Sequence, residues 1–370
     1  MTKSKICSLG CIVGTHTEVI KIAPLLFELR SEPWVKTALI STGECQGELD
    51  AIFAVFDLKP DYHLNKMPKQ QTLQEFAATL CNKLNLLIKK HHFDALLGAG
   101  NTTTVFISSL MAFYNQLAFG HIEAGLRTNP GKSFPEETHQ ILTAPLSTWH
   151  FAPSTFEKEN LIREKIAVNK IFVTGSTVTD ALHWIIKNKS ETNEFRHIYN
   201  FVIVSTRQNG EHLKNICNAI LELTTRFDDI NFIFSLTETS ESQQFFKTIF
   251  SNQPRVHLLP AVPYDEFVHL MRRAILLLTD SVTMQEEAPV LHKPILILNN
   301  DAEKPQLIKE GIGLLVGTSR ETIVEIVSQL LTDGKLYLKM TRSHCPEGDE
   351  HAAKRIVEIL KNKLPLKNTY

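Results

Sequence analysis

Along the chain, short and nearly unbroken apolar runs alternate with segments whose apolar residues recur every three or four positions. The first pattern marks strands buried on both faces of a parallel sheet, and the second marks helices with one buried face. Residues 6–13 read as a strand, 18–30 as a helix and 35–41 as a second strand. Over 73–91 the spacing predicts a long amphipathic helix with Leu73, Phe76, Ala77, Leu80, Leu84, Leu87 and Ile88 on its buried side. Strands follow at 95–98, 117–122, 149–152 and 170–173, with one helix at 103–114 and another running through residue 186. The stretch 187–200 is polar and lacks a period, which makes it the linker candidate. The alternation then restarts, with strands at 201–205, 231–235, 256–259, 274–279 and 294–298 and helices at 213–227, 267–273 and 284–291.

Repeated βαβ units in both halves predict an α/β protein of two doubly wound, Rossmann-like domains facing a central cleft. The expected domains are residues 1–186 and 201–350, joined by the linker and followed by a C-terminal segment, 351–370. Ligands of such sheets bind beyond the carboxyl ends of the strands, so the loops there are the places to look for chemistry.

Composition narrows the function classes. A chain of 370 residues that is 43% hydrophobic and 21% charged can bury a sizeable core and is not a disordered one. Its 39 basic and 40 acidic side chains leave a net charge of −1, so neither nucleic acid nor an anionic membrane is an expected partner. The apolar runs are strand-length, far short of the roughly 20 residues of a membrane span, and the N-terminal residues lack a signal-peptide pattern. The 6 cysteines show no metal-site spacing, and a strand would hold Cys7 and Cys11 too far apart to bridge. The expectation is a reduced, cytoplasmic protein without a metal.

Six loops carry candidate chemistry. Gly14-Thr15-His16-Thr17-Glu18, with Lys21 one turn on, is a strand-to-helix turn that favours an anion, to which His16 and Lys21 add charge. Such turns are also ordinary structure. Gly98 to Thr104 is a second; Asn101 and its threonines serve as helix caps or, alternatively, Asn101 stands at the mouth of the cleft. Glu123 and Arg127 follow a strand, and Glu136 and Glu137 begin a helix 13 residues after Glu123. Carboxylates at a helix start complement its dipole. Two separated carboxylate loops are also what proton removal and return at a sugar carbon require. Both Glu123 and Glu136 are expected outside the packed core. In the second half, Ser281 and the N–H groups after it can cradle a diphosphate, with Glu287 accepting from ribose hydroxyls. The plainer reading is a cap by Asp280 or Ser281. Asp301, Glu303 and Lys304 follow the next strand and read as charge facing the cleft.

Together these loops resemble, in order and spacing, the UDP-N-acetylglucosamine 2-epimerase family. The carrying segments include GTHTEVIKIAPL, GNTTTVFISSLMAFY, GHIEAGLRT, FPEE, HFAPS, FVTGSTVTDAL, LLTDSVTMQEEAP and EGDEHAAKRI. The resemblance implies the two-domain fold shared with GT-B glycosyltransferases, with the C-terminal helix of 351–370 packing back on the first domain. It implies a UDP-sugar substrate, a homodimer, and no metal or redox cofactor. The implied reaction removes the C2 proton while UDP departs anti, passes through a 2-acetamidoglucal, and re-adds UDP with the proton on the opposite face. Hydrolysing relatives add water and release the free sugar. By position, Glu123 and Glu136 match acid/base carboxylates, Lys21 an active-site lysine, and Ser281 and Glu287 the diphosphate and ribose contacts.

Several positions depart from the family pattern. GTRPE is GTHTE here, so His16 replaces an arginine; GDTTT is GNTTT, so Asn101 replaces an aspartate assigned to catalysis. PEExNR becomes Pro135 to Gln140, with His139 at the asparagine and Gln140 at the arginine. Arg207 stands where a catalytic-site histidine is expected (a slip of one residue would put Thr206 there), and Val282-Thr283 replaces two glycines. The allosteric segment GQHRE is altered to Gly43 to Gly47. Three readings stay open: a nucleotide-sugar 2-epimerase, hydrolysing or not; a binding protein with a weak or silent site; and a glycosyltransferase using the same architecture.

Overall fold

A computed structural model describes residues 6–44, 46–64, 72–127, 134–191, 194–236, 240–300, 305–342 and 348–364. They fall into two units, one formed by residues 1–184 with 347–370 and the other by 185–346. The first unit holds strands β1 Cys7–Val13, β2 Val35–Ser41, β3 Tyr62–His63, β4 Ala95–Ala99, β5 Ala118–Ile122, β6 Trp149–Ala152 and β7 Ile171–Val173. The second holds β8 Phe201–Ser205, β9 Asn231–Ser235, β10 Val256–Leu259, β11 Leu276–Thr279, β12 Ile295–Ile297 and β13 Gly313–Leu315. Each unit is one parallel sheet, ordered β3-β2-β1-β4-β5-β6-β7 and β10-β9-β8-β11-β12-β13, with helices interleaved. The α/β, doubly wound class expected from the alternating pattern is the observed one.

Both sheets reverse their strand order once, between β1 and β4 and between β8 and β11. Connections on either side of such a point leave toward opposite faces, so a crevice opens beyond the strand ends. These are the places where the fold positions ligands.

Burial explains the period of each element. All five residues of β4 are buried, as an unbroken apolar run requires. On the helix Leu73–His91, Phe76, Leu80, Leu84 and Ile88 point into the core at four-residue spacing. Leu73 does not: it is 37% exposed. It opens the helix within the exposed capping box of Thr72 and Glu75, ahead of the first turn that reaches the sheet. In the second unit, helices Gly210–Arg226 and Arg320–Thr332 cover the sheet through Ile216, Ile220, Leu223, Ile323 and Val327. Helices Thr155–Arg163, Ser240–Ile249, Arg320–Thr332 and Gly334–Thr341 add to those read from apolar spacing.

The C-terminal helix Ala352–Lys363 belongs to the first unit. The Asp180 carboxylate accepts from its first N–H groups, Ala352 at 3.2 Å and Ala353 at 3.0 Å, and Arg355 donates to the Thr174 carbonyl at 2.9 Å. After the helix Thr177–Asn188, the chain is tied to the second unit. Arg273 pairs with Glu191 and donates to the Ile198 carbonyl, and His269 contacts the Lys189 carbonyl at 3.0 Å. Among the described residues no helix is long and apolar enough to cross a membrane.

Candidate active site

At the β1/β4 crevice the turn after β1 is locked by its own glutamate. Glu18 is 1% exposed and receives hydrogen bonds from the backbone N–H groups of Gly14 and Thr15 and from the Thr102 hydroxyl. One carboxylate thus ties the start of the helix His16–Ser31 to the turn after β4. Burial pushes its pKa up to about 7 against those three hydrogen bonds, and the nearby Glu44 carboxylate adds to the rise. Gly14 admits no side chain: a Cβ would lie 2.7 Å from the Thr42 hydroxyl, 2.8 Å from Glu44 Oε2, and closer still to the Thr104 hydroxyl. Glu44 itself accepts from Thr104 at 2.8 Å, and burial, with a smaller contribution from Glu136, raises its pKa.

Lys21 Nζ forms an ion pair with Glu123 Oε2, and both side chains are largely withdrawn from water. Ser176 donates to the other oxygen of Glu123 at 3.4 Å, and the Gln140 amide donates to its carbonyl at 2.9 Å. Glu123 sits just past β5 with φ of 61°, a left-handed conformation that costs a side-chain-bearing residue about 1 kcal/mol or more. At 2% exposure it is buried, contrary to the expectation for it, because the turn folds its carboxylate back onto Lys21. Glu136, half-buried at the first position of the helix Glu136–Leu146, fits the expectation. Asn101 is half-buried in the turn after β4, but Thr102 caps the next helix by accepting from the Val105 N–H at 3.3 Å. His16 is exposed at the first turn of its helix. Arg127 lies against Glu164 through two parallel hydrogen bonds, an ion pair at the unit's surface.

The β8/β11 crevice is braced differently. Asp280, after β11, accepts from the Thr206 hydroxyl at 2.8 Å and from the Arg207 N–H at 2.9 Å. Its carboxylate joins the loops on either side of the reversal, while the Arg207 side chain is exposed. Ser281, not Asp280, caps the helix Val282–Val290, accepting from the Met284 N–H at 3.5 Å. Val282 and Thr283 are its half-exposed first residues. Glu287 is 1% exposed, and its carboxylate accepts from the Tyr264 hydroxyl. Burial, with the charge of Glu287, raises the Tyr264 pKa well above its usual value and keeps it a donor.

The structure therefore places Glu123, Lys21, Glu136, Asn101 and His16 on strand-end turns and the helices that follow them in one unit, and Arg207, Ser281 and Glu287 likewise in the other. Sequence reasoning missed Glu18, Glu44, Tyr264 and Asp280 as parts of these sites. Glu18 carried one signal, its place three residues after the capping Thr15. Cys45 in the altered allosteric segment, together with Asp301, Glu303 and Lys304, lies outside the described residues. Among the described residues no three His, Cys, Asp or Glu side chains could jointly hold a metal ion.

The family model described as UDP-N-acetylglucosamine 2-epimerase matches residues 27–361. The UDP-N-acetylglucosamine 2-epimerase of Escherichia coli K12 is 36% identical over 366 residues, covering 95% of this chain and 97% of the relative. A crystal structure of the Neisseria meningitidis UDP-GlcNAc 2-epimerase bound to UDP-GlcNAc superposes with a TM-score of 0.89 at 35% identity, covering 96% of this chain and 100% of that one. A co-structure of S. aureus MnaA with UDP gives the same TM-score at 30% identity, covering 98% of each chain. A glycosyltransferase from Rickettsia africae, 16% identical with a TM-score of 0.60, is similar in fold alone.

Proposed function

Because the chain belongs to the UDP-N-acetylglucosamine 2-epimerase family, we propose that it inverts C2 of UDP-N-acetylglucosamine or a close relative. The observation that carries this reading is the buried Lys21–Glu123 pair, with a second carboxylate, Glu136, at the start of the helix Glu136–Leu146. Glu123, held in place by Lys21, is positioned to exchange a proton with a carbon acid. Glu136 is the second acid/base group. One removes the C2 proton as the C1–oxygen bond breaks and UDP leaves anti. The 2-acetamidoglucal then regains UDP at C1 and a proton at C2 on the other face. The sequence is redox-neutral.

Ser281 and the first N–H groups of the helix Val282–Val290 hold the diphosphate, and Glu287, fixed by Tyr264, accepts from the ribose hydroxyls. We assign the exposed Arg207 side chain to the same ligand as a cation. We assign the activity to the cytoplasm and to a homodimer, supplying an N-acetylmannosamine-type sugar for a surface polysaccharide. Bound UDP-GlcNAc in the N. meningitidis structure supports the substrate class.

A second reading, a nucleotide-sugar binder with little chemistry, is favoured by Asn101, which cannot act as a carboxylate base, and by the side chains of Val282 and Thr283 at the phosphate-facing helix start. Proton NMR of UDP-N-acetylglucosamine with the protein in deuterated water separates the readings. Exchange at C2 with a new UDP-N-acetylmannosamine signal supports the epimerase. Free sugar with UDP identifies the hydrolysing variant, and an unchanged spectrum with retained UDP binding identifies the binder.

A further inference from the structure

Three polar contacts of the first unit join the turns of the β1/β4 crevice into a ring. Glu18 and Lys21 lie one turn apart on the helix His16–Ser31. Glu18 holds the Thr102 hydroxyl in the turn after β4, and Lys21 holds the Glu123 carboxylate in the turn after β5. His121, inside β5 and two residues before Glu123, closes the ring between those two turns. Its imidazole is buried, and Nε2 lies 2.7 Å from the carbonyl oxygen of Gly100, two residues before Thr102. A carbonyl oxygen only accepts, so Nε2 carries the proton and donates. Nδ1 has no hydrogen-bond partner among the described residues, which leaves that carbonyl as the polar attachment of the ring.

The backbone shows what this bond adds. Pairing of β4 with β5 ends at Ala99 and Ile122. The Gly100 N–H still donates to the Ile122 carbonyl at 3.0 Å, and a φ of 90° at Gly100 then ends the extended run. A Cβ at Gly100 would meet nothing within 4 Å, so glycine is there for its backbone freedom. His121 restrains that freedom from the other side, so that β5 holds Gly100 at both its N–H and its carbonyl. Burial lowers the His121 pKa to about 4, against the opposing effect of the Gly100 bond, and the ring is neutral near pH 7. His150, its register partner on β6, is also buried and held down to about 3. The two rings therefore bring no charge to Glu123, which is paired with Lys21.

We propose, resting on the epimerase reading above, that His121 is a positioning residue of the reaction: by fixing the turn of Gly100 to Thr102 against the strand that leads into Glu123, it sets where Glu123 meets C2. It takes no proton itself and acts through Glu123. Without its bond, Gly100 keeps one attachment to β5 in place of two. The turn can then rotate, carrying with it Thr102, the Glu18 bonded to it and, on the same helix, Lys21. A displacement of about 1 Å at a reacting group is enough to cost about a hundredfold in rate.

The test compares wild type, His121→Phe and His121→Gln for deuterium exchange at C2 of UDP-N-acetylglucosamine, per UDP-binding site counted by calorimetry. Phenylalanine fills the space of the ring without a donor, and the glutamine amide restores a donor at similar reach. His121→Phe is expected to lower the rate at saturating substrate by at least about tenfold, with KM and UDP affinity within about twofold of wild type. His121→Gln is expected to recover most of that loss. A residue that serves stability alone changes the number of folded sites and leaves the rate per site untouched. A wild-type rate per site in His121→Phe, or no recovery in His121→Gln, therefore overturns the proposal. A wild type that binds UDP without exchange removes the epimerase reading and this role with it; an exchanging wild type with an equally fast His121→Phe removes only the role. Should His121→Phe fail to fold, His121→Gln and the ¹⁵N shifts of the wild-type ring decide. A ring protonated at Nε2, with His121→Gln near the wild-type rate per site, supports the role. A proton on Nδ1, or a His121→Gln rate down by about tenfold or more, overturns it.

Discussion

The two crevices arise from the same topological event, a reversal of strand order, yet the chain furnishes them differently. At β1/β4 the polar side chains are tied mainly to one another. Glu18 is bonded to Thr102, Glu44 to Thr104, and Lys21 to Glu123, in buried or half-buried positions. At β8/β11, Asp280 binds the N–H of Arg207, Ser281 caps a helix, and Glu287 takes one hydroxyl from Tyr264. Low dielectric and close charge make the first suited to moving protons, because small changes in charge there shift pKa values strongly. A helix start and a fixed acceptor, Glu287, make the second suited to holding a ligand that does not itself react. Chemistry in one unit and affinity in the other is the division of labour we infer.

Substitutions can break that division. Glu136→Gln is expected to lower turnover by at least about a hundredfold while leaving UDP affinity and folding nearly unchanged, since this half-buried side chain is not packed in the core. A variant that retains turnover would remove Glu136 from the chemistry. Tyr264→Phe acts on the other side. It takes one donor from the buried Glu287 carboxylate, for a loss of about 1–3 kcal/mol in stability, and UDP affinity is expected to fall several-fold. The rate at saturating substrate should hold, and a fall in that rate with intact affinity would contradict the assignment.

Glu18→Gln is expected to have the smallest effect, visible in the pH dependence of unfolding. The folded pKa of Glu18, about 7, exceeds its ordinary value of 4.5, so the folded state binds the extra proton between them. Its contribution to stability is full below about pH 4.5 and is lost as pH rises through about 7. Urea titrations of wild type should show that decline, and the glutamine variant should lack it. An identical slope in both would mean that the Gly14–Thr102 brace does not hold a perturbed carboxyl.

The architecture was largely legible because parallel strands buried on both faces leave unbroken apolar runs, as in β4 and β8. A short helix with few apolar residues, such as Ser240–Ile249, left little trace, as did the two-residue β3. The loops were legible as strand-end motifs, but their internal wiring was not. Nothing in the spacing reveals that Glu18 reaches Thr102 across 84 positions, or that Tyr264 reaches Glu287 across 23. The burial of Glu123, expected outside the packed core, was not legible because its left-handed backbone, which turns it onto Lys21, leaves no mark in a sequence without glycine at that position.

The most direct test of the division is Glu123→Gln, measured for C2 deuterium exchange and UDP affinity in the same preparation. The amide can still accept from Lys21 but cannot carry the proton, so some stability is lost while the fold is kept. Exchange reduced by at least about a hundredfold, with the UDP dissociation constant unchanged within about twofold, is the predicted result. Exchange and affinity falling together, or exchange persisting at the wild-type rate, would contradict it.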